Sequence, residues 1–555
     1  MKTRVIQKEP DGPPADELTD RPPDAPVQST DSGGRSGRRR KIAILGLAVL
    51  LVLTGAYLAS RPGATRTGAA NGVATGDPNL AAIDTFVEGE MGAQRIPGLA
   101  LGIVQGDQVI HMRGFGDADS SGREVTPQTP FIIGSVAKSF TALAVMQLVE
   151  AGKIDLDAPV RRYLPWFRVA DKQASAKITV RHLLNQTSGL STKTGRSFQG
   201  SGDTSDSAIE KAVRKLRTAE LTAPVGAKHQ YSTINYSVLG LIVQTVSGQS
   251  YETYVQKNIF DPLRMGNSFT SEAAAQSHGL ATGHNYWFGR PRVADEPYNR
   301  GLIPAGYLIS SAEDMTHYLI AQLNNGRYGR AAVLSPSGIA ELHRPAVATP
   351  AADTSYGMGW FVGPVNGIPA VFHQGETFTY HANVVLVPRS KQGVIVLMNA
   401  ENSLDLFTRG RMATVAEGVV SLLQGQEPPF PPSRLPIFVA YALLLAVIAV
   451  QLGGMIRSVA ALRRGRAPRG RLGPWWHLGA SLLLNLGWAA LILIFVPQKI
   501  LGLPLPVLAE GLPDLAYLLL VSGVVAIAWG IVRLVWTYLA LRTERRGPET
   551  VVATT

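Results

Sequence analysis

The chain has no cysteine among its 555 residues. That excludes disulfides, thiolate metal sites and a cysteine nucleophile. It leaves an extracytoplasmic location open, because a large domain can be stable without covalent staples. The ten histidines are scattered. None forms a His-x-His or His-Glu-x-x-His group, which argues against a zinc hydrolase, and no metal or cofactor is expected. Internal repeats are also lacking, which excludes solenoid and propeller architectures. Acids are fewer than bases, giving a net charge of +12. The excess does not form a nucleic-acid stripe, however. Two stretches, "RSGRRRK" at 35–41 and "RSVAALRRGRAPRGR" at 457–471, hold eleven basic residues and no acid. Both abut long apolar segments and read as membrane-topology signals rather than contacts for nucleic acid.

Four apolar stretches approach the ~20 residues that a helix needs to cross a bilayer. They are 42–59, 437–456, 475–496 and 515–536. The first competes with a cleaved signal peptide, since small residues follow it. The forty-residue polar lead favours an uncleaved anchor. With the basic cluster at 35–41 held in the cytoplasm, the chain leaves the membrane after Ala59 and returns through the second span. That places the arginine-rich 457–471 loop inside, the 497–514 loop outside and both termini in the cytoplasm, as the positive-inside rule requires. The expected organisation is a disordered tail (1–41), a span (42–59), a flexible linker (60–78), an extracytoplasmic domain (79–425), a Pro-rich linker (426–436) and three spans before a cytoplasmic tail (537–555).

Within the exposed domain, "GLALGIVQGDQVIHMRGFGDAD" (98–119) reads as two strands around a Gly-Asp turn. "SFTALAVMQLVEAGKI" (139–154) has helical spacing with Gly152 as its stop. Residues 370–401 read as strands joined by turns, with a hairpin at Ser390 to Gly393. A sheet built from both ends of the domain around a helical middle is an α+β arrangement.

"FIIGSVAKSF" (131–140) places Ser135 three residues before Lys138, where an apolar run gives way to a helix. A residue at a helix start lies beside unpaired backbone N–H groups that can stabilise an oxyanion. A spacing of three puts the lysine one turn on, on the same face. Buried beside Phe131, Ile132 and Phe140, its amine would lose proton affinity and act as a base. Taken alone, the stretch also fits a helix-capping serine followed by an exposed lysine. Two later stretches change the balance. Tyr231 precedes an amphipathic helix in "PVGAKHQYSTINYSVLGLIVQTVSG" (224–248), and "FHQGE" (372–376) places a His-x-Gly on an edge-like strand.

The order Ser-x-x-Lys, Tyr-Ser-x-x-Asn-Tyr, His-x-Gly resembles the serine β-lactamase-like hydrolases, which include class C β-lactamases, penicillin-binding proteins, D,D-carboxypeptidases, D-aminopeptidases and esterases. "ITVRHLLNQTSGL", "IFDPLRMGNSFT", "PAGYLISSAEDM" and "YGMGWFV" extend the resemblance over about 80–425. It implies a β-lactamase/transpeptidase-like fold, an antiparallel sheet flanked by helices with a helical subdomain. It further implies a bacterial source, Ser135 as acylated nucleophile, Lys138 as proton acceptor and Tyr231 as proton relay. His373, Gln374 and Gly375 match the Lys-Thr-Gly strand of the cleft, and the backbone N–H groups of Ser135 and Glu376 match the oxyanion hole.

Two departures concern substrate. Thr233 stands where a Tyr-x-Asn motif has asparagine, and His373 replaces a permanent cation, which favours an esterase or peptidase over a strong β-lactamase. Gln186 stands where histidine is common and receives no role. Asn235 and Tyr236 are expected to pack the helix start, His182 and His229 to be structural or surface residues, Asn185 and Ser188 to form a turn, and Asn485 to serve helix contact. The expected function is membrane-anchored acyl-enzyme hydrolysis of an amide or ester, such as a cell-wall peptide. The alternative is a penicillin-binding-like sensor with little turnover. The partners are a small-molecule or peptide substrate and the lipid bilayer, with protein partners left open.

Overall fold

The computed structural model describes residues 79–198, 202–403, 411–465 and 473–545. The expected first tail, first span and linker (1–78) lie outside the described residues.

An eight-stranded antiparallel sheet organises the domain expected at 79–425. Its strands, in chain order, are β1 (Gly98–Gln105), β2 (Gln108–Gly116), β5 (Val347–Ala348), β6 (Ser355–Tyr356), β7 (Phe361–Val365), β8 (Ile368–Glu376), β9 (His381–Val387) and β10 (Gln392–Met398). A separate hairpin, β3 (His284–Trp287) and β4 (Arg290–Val293), lies outside this sheet. The order across the sheet is β2-β1-β10-β9-β8-β7-β6-β5. The amino-terminal hairpin thus pairs with the carboxy-terminal meander, Leu99 opposite Met398. Strand β1 is buried through Val104, and β9 and β10 are buried throughout. Such continuously apolar strands need cover on both faces. Helices α1 (Leu80–Gln94) and α5 (Ala413–Leu423) cover one face through Ile83, Val87, Val415 and Val419. Helix α4 (Ala312–Leu323) packs on the other, against β1 and β10.

The helical middle contains α2 (Ala137–Glu150) and α3 (Ile234–Ser247). The amphipathic reading of α3 is corrected: every residue from Ile234 to Val243 is buried. The helix lies against α2 and five shorter helices and therefore has no broad wet face.

Among the described residues, three helices, all beyond the domain, are long and apolar enough to span a membrane; the fourth expected stretch, 42–59, lies outside the described residues. They are α6 (Leu435–Arg463), α7 (Gly473–Ala490, continued by π-helical turns Leu491–Ile500) and α9 (Pro513–Arg545). A short helix, α8 (Leu505–Gly511), joins the last two. Each long helix overruns its expected end. The 29 residues of α6 rise about 43 Å against a hydrocarbon core of ~30 Å. Polar contacts stitch the bundle. Trp488 Nε1 donates to Ser522 Oγ at 2.9 Å, and Trp529 Nε1 to Ser458 Oγ at 3.1 Å. Asn485 turns its amide back to Ser481 O in its own helix, at 2.9 Å, while its Cβ stands against Gly530.

Candidate active site

The apolar run Phe131 to Ile133 is fully buried. Gly134 follows with φ +52°, a left-handed turn that swings the chain into a short 3-10 turn and then α2. Ser135 sits half-buried in that turn, and Lys138 lies one turn on with no exposure. Lys138 Nζ is 2.7 Å from Ser135 Oγ and donates to the Ala305 carbonyl at 2.6 Å. Burial pushes the amine's pKa well below its ordinary value. The shift favours the neutral amine, the form that can take the serine proton.

Tyr231 approaches from the other side, its ring centre 5.0 Å from Lys138 Nζ. Its phenol moves the opposite way. Burial raises the pKa well above the ordinary value, against a smaller pull from its hydrogen bond to Ser135. The resting group is therefore a protonated phenol that can donate. Burial thus favours the neutral form of both groups, an amine able to accept a proton and a phenol able to donate one.

Strand β8 completes the site. Strand β7 pairs with it only as far as Phe372, so residues 373–376 form a local edge within an interior strand. That edge meets the serine turn at two glycines. A Cβ at Gly375 would lie 2.0 Å from Ile133 O and 3.2 Å from Ser135 N, and one at Gly134 would lie 2.5 Å from Glu376 N. The missing side chains let the Ser135 and Glu376 amides come together, as an oxyanion hole needs.

His373 is buried, with Nδ1 donating to Gln374 O at 2.6 Å and Nε2 at 3.4 Å from the Tyr356 hydroxyl. Burial, then the neighbouring Lys138, pushes its pKa down to about 3. The imidazole is thus neutral and offers no cation to a substrate carboxylate. Gln374 and Glu376 are half-buried along the same edge. Thr233 starts α3 half-buried, and its hydroxyl does not cap the helix. Around Tyr231 stand Tyr356, Phe361 and His229, the last with its ring 5.3 Å from Tyr356 and so beside the site rather than at the open surface. A 730 Å³ concavity lined by Gln147, Glu150, Lys153 and Arg327 contains none of these residues and is separate from the chemistry.

Several contributors escape a reading of the sequence. Gln186, in the left-handed region at φ +58°, accepts from Ser232 N at 2.9 Å and from Asn235 Nδ2 at 2.6 Å, fixing the segment that carries Tyr231. Ser188 donates to Asn235 Oδ1 at 2.8 Å and joins the same network. Ala305 acts through a backbone carbonyl, which no motif records. Asn235 and Tyr236 are fully buried, the latter donating to Leu184 O at 2.8 Å. His182 instead completes a capping box with Thr179.

Comparison with known proteins agrees with this geometry. The beta-lactamase family model matches residues 83–417. Protein flp of Staphylococcus aureus strain COL is 28% identical over 434 residues, 76% of this chain and 83% of that protein. Penicillin-binding protein 4 of Amycolatopsis lactamdurans is 29% identical over 56% of this chain and 83% of its own length. Among solved structures, the octameric penicillin-binding protein homologue from Pyrococcus abyssi is similar at a TM-score of 0.56 and 27% identity, covering 64% of this chain and 79% of that one. With the fold, the serine-lysine pair and a match over more than half its length, the chain belongs to the beta-lactamase family of serine hydrolases and penicillin-binding proteins.

Proposed function

We propose that the protein is a membrane-anchored serine hydrolase that cleaves an amide or ester through an acyl-enzyme. The observation that carries this reading is the buried Lys138 amine 2.7 Å from Ser135 Oγ. Ser135 Oγ attacks the substrate carbonyl carbon as its proton passes to Lys138 Nζ. The oxyanion is held by the Ser135 and Glu376 amides. As the intermediate collapses, the proton goes by way of Tyr231 to the leaving nitrogen or oxygen, and the acyl group stays on Ser135 as an ester. Water then attacks that ester with Lys138 and Tyr231 in the reverse sense, releasing the acid.

The neutral His373 and the aromatic surround of Tyr231 support a substrate with no carboxylate at that position, which favours esterase or peptidase action over strong β-lactamase action. The arrangement of basic loops supports a catalytic domain outside the cytoplasmic membrane, where a cell-wall peptide or related compound is within reach. Turnover of paired short amides and esters, with and without a free carboxylate, tests the reading on the full chain. Ser135-dependent turnover that favours the neutral members is expected. A lasting penicillin adduct with no turnover of any member would instead support the sensor.

A further inference from the structure

The three carboxy-terminal spans are more than a tether requires, and the contact they make with the catalytic domain falls at a particular place. Phe378 occupies the turn between β8 and β9, where a hairpin tip is ordinarily wet. It is only 8% exposed, because Gly511 at the end of α8 lies against its ring. A Cβ on Gly511 would stand 2.6 Å and 2.9 Å from two of the ring carbons. Beside it, Asn285 Nδ2 donates to Glu510 O at 3.1 Å; burial, then Glu296 and more weakly Glu510, raises the Tyr307 phenol pKa well above its ordinary value. The β3–β4 hairpin provides a second seat. Phe288 N donates to Asp514 Oδ2 at 2.8 Å, and Trp287 and Phe288 each stand 5.5 Å, ring to ring, from Tyr517 and Tyr441 of the bundle.

What α8 covers belongs to the catalytic frame. Phe378 lies two residues beyond Glu376, whose amide faces the oxyanion. Tyr307 lies two residues beyond Ala305, whose carbonyl holds Lys138. One half-buried carboxylate clamps both segments. Glu296 accepts from the Tyr307 hydroxyl at 2.9 Å, and also from Phe378 N at 3.0 Å, Thr379 N at 3.2 Å and Thr379 Oγ1 at 2.8 Å. The membrane bundle therefore presses on the joint between the oxyanion strand and the support of the general base.

We propose that α8 is a positioning element of the active site: Gly511 on Phe378, with Glu510 beside Asn285, acts through the Glu296 clamp to set the Glu376 amide and the Ala305 carbonyl, so that Ser135 is acylated at full rate only while the catalytic domain is seated on the membrane bundle. The inference rests on the hydrolase reading and adds a regulatory role for the spans. Anything that shifts the bundle reaches the site through this contact, by displacing groups whose catalytic worth depends on sub-ångström placement.

The test uses the full chain in lipid nanodiscs. Reactive Ser135 is counted to completion with a fluorophosphonate, and turnover of a nitrophenyl butyrate is expressed per counted site. Gly511→Leu is expected to lower kcat per site by about tenfold or more with KM nearly unchanged, short of the ~10²–10³ lost with a whole oxyanion donor. In a Phe378→Ala background, which vacates the space, Gly511→Leu is expected to have no further effect. A purely structural role would reduce the number of counted sites and leave the rate of each intact. A wild-type per-site rate in Gly511→Leu, or an equal loss in both backgrounds, overturns the proposal. Should Gly511→Leu yield no sites, Asn285→Ala reads the same contact: a kcat lowered about threefold supports it and an unchanged kcat overturns it. Wild-type turnover that survives Ser135→Ala would instead bring down the hydrolase reading, and this inference with it.

Discussion

Lys138 and Tyr231 meet at one hydroxyl, and burial drives their proton affinities apart. The amine loses affinity and the phenol gains it. The acidic limb of kcat/KM is therefore expected to report Lys138, with activity rising as the amine deprotonates and reaching its plateau well below the ordinary lysine pKa. Lys138→Arg, which cannot deprotonate, is expected to lose ~10²–10⁴ in turnover across the whole pH range, the usual worth of a general base. Recovery of that variant at high pH would count against the assignment. His373 makes a separate prediction about stability. Its folded pKa of about 3 lies below the unfolded value near 6.5, so between those values only the unfolded chain binds the proton. Its contribution is full above the unfolded pKa and is lost as pH falls towards the folded one. His373→Gln should consequently gain stability relative to wild type between pH 7 and pH 5 in denaturant titrations. Ser135 and Lys138 were legible in the sequence because their spacing is local. The lowered proton affinity of the amine was legible too, since it follows from the apolar residues around it, whereas its carbonyl partner Ala305 was not, because it lies 167 residues along the chain.

At the scale of elements, the site is a junction between a turn and a strand edge, made possible by Gly134 and Gly375. Gly375→Ala would place a Cβ 2.0 Å from Ile133 O and must push the strand away. Turnover per reactive site is expected to fall ~10²–10³, as for loss of an oxyanion donor, with little change in KM. Wild-type kcat in that variant would show that the two amides do not share the oxyanion. The strands of both hairpins were readable, although the second turn lies at 388–391 rather than at Ser390 to Gly393, because Gln392 and Gly393 already pair with Val387 and Leu386. The packing of α3 was not. Its apolar residues gave a helical period, but whether its remaining face is wet depends on neighbours that periodicity does not name. Gln186 illustrates the same limit, since its partners lie 46 and 49 residues along the chain.

For the molecule as a whole, the absence of cysteine makes the proposed membrane orientation simple to test. A single cysteine at Lys499 should react with a membrane-impermeant maleimide on intact cells, and one at Arg464 only after lysis. The reverse pattern would invert the topology. The spans themselves were visible as apolar runs, whereas the seating of Phe378 on Gly511 joins positions more than a hundred residues apart and leaves no local signature.

The most direct test of the central claim is intact-mass spectrometry of the full chain quenched during turnover of an activated ester, followed by peptide mapping. The account predicts one acyl group on Ser135, its occupancy raised in Tyr231→Phe by slowed deacylation and abolished in Ser135→Ala. An adduct on another residue, or turnover undiminished in Ser135→Ala, would contradict it.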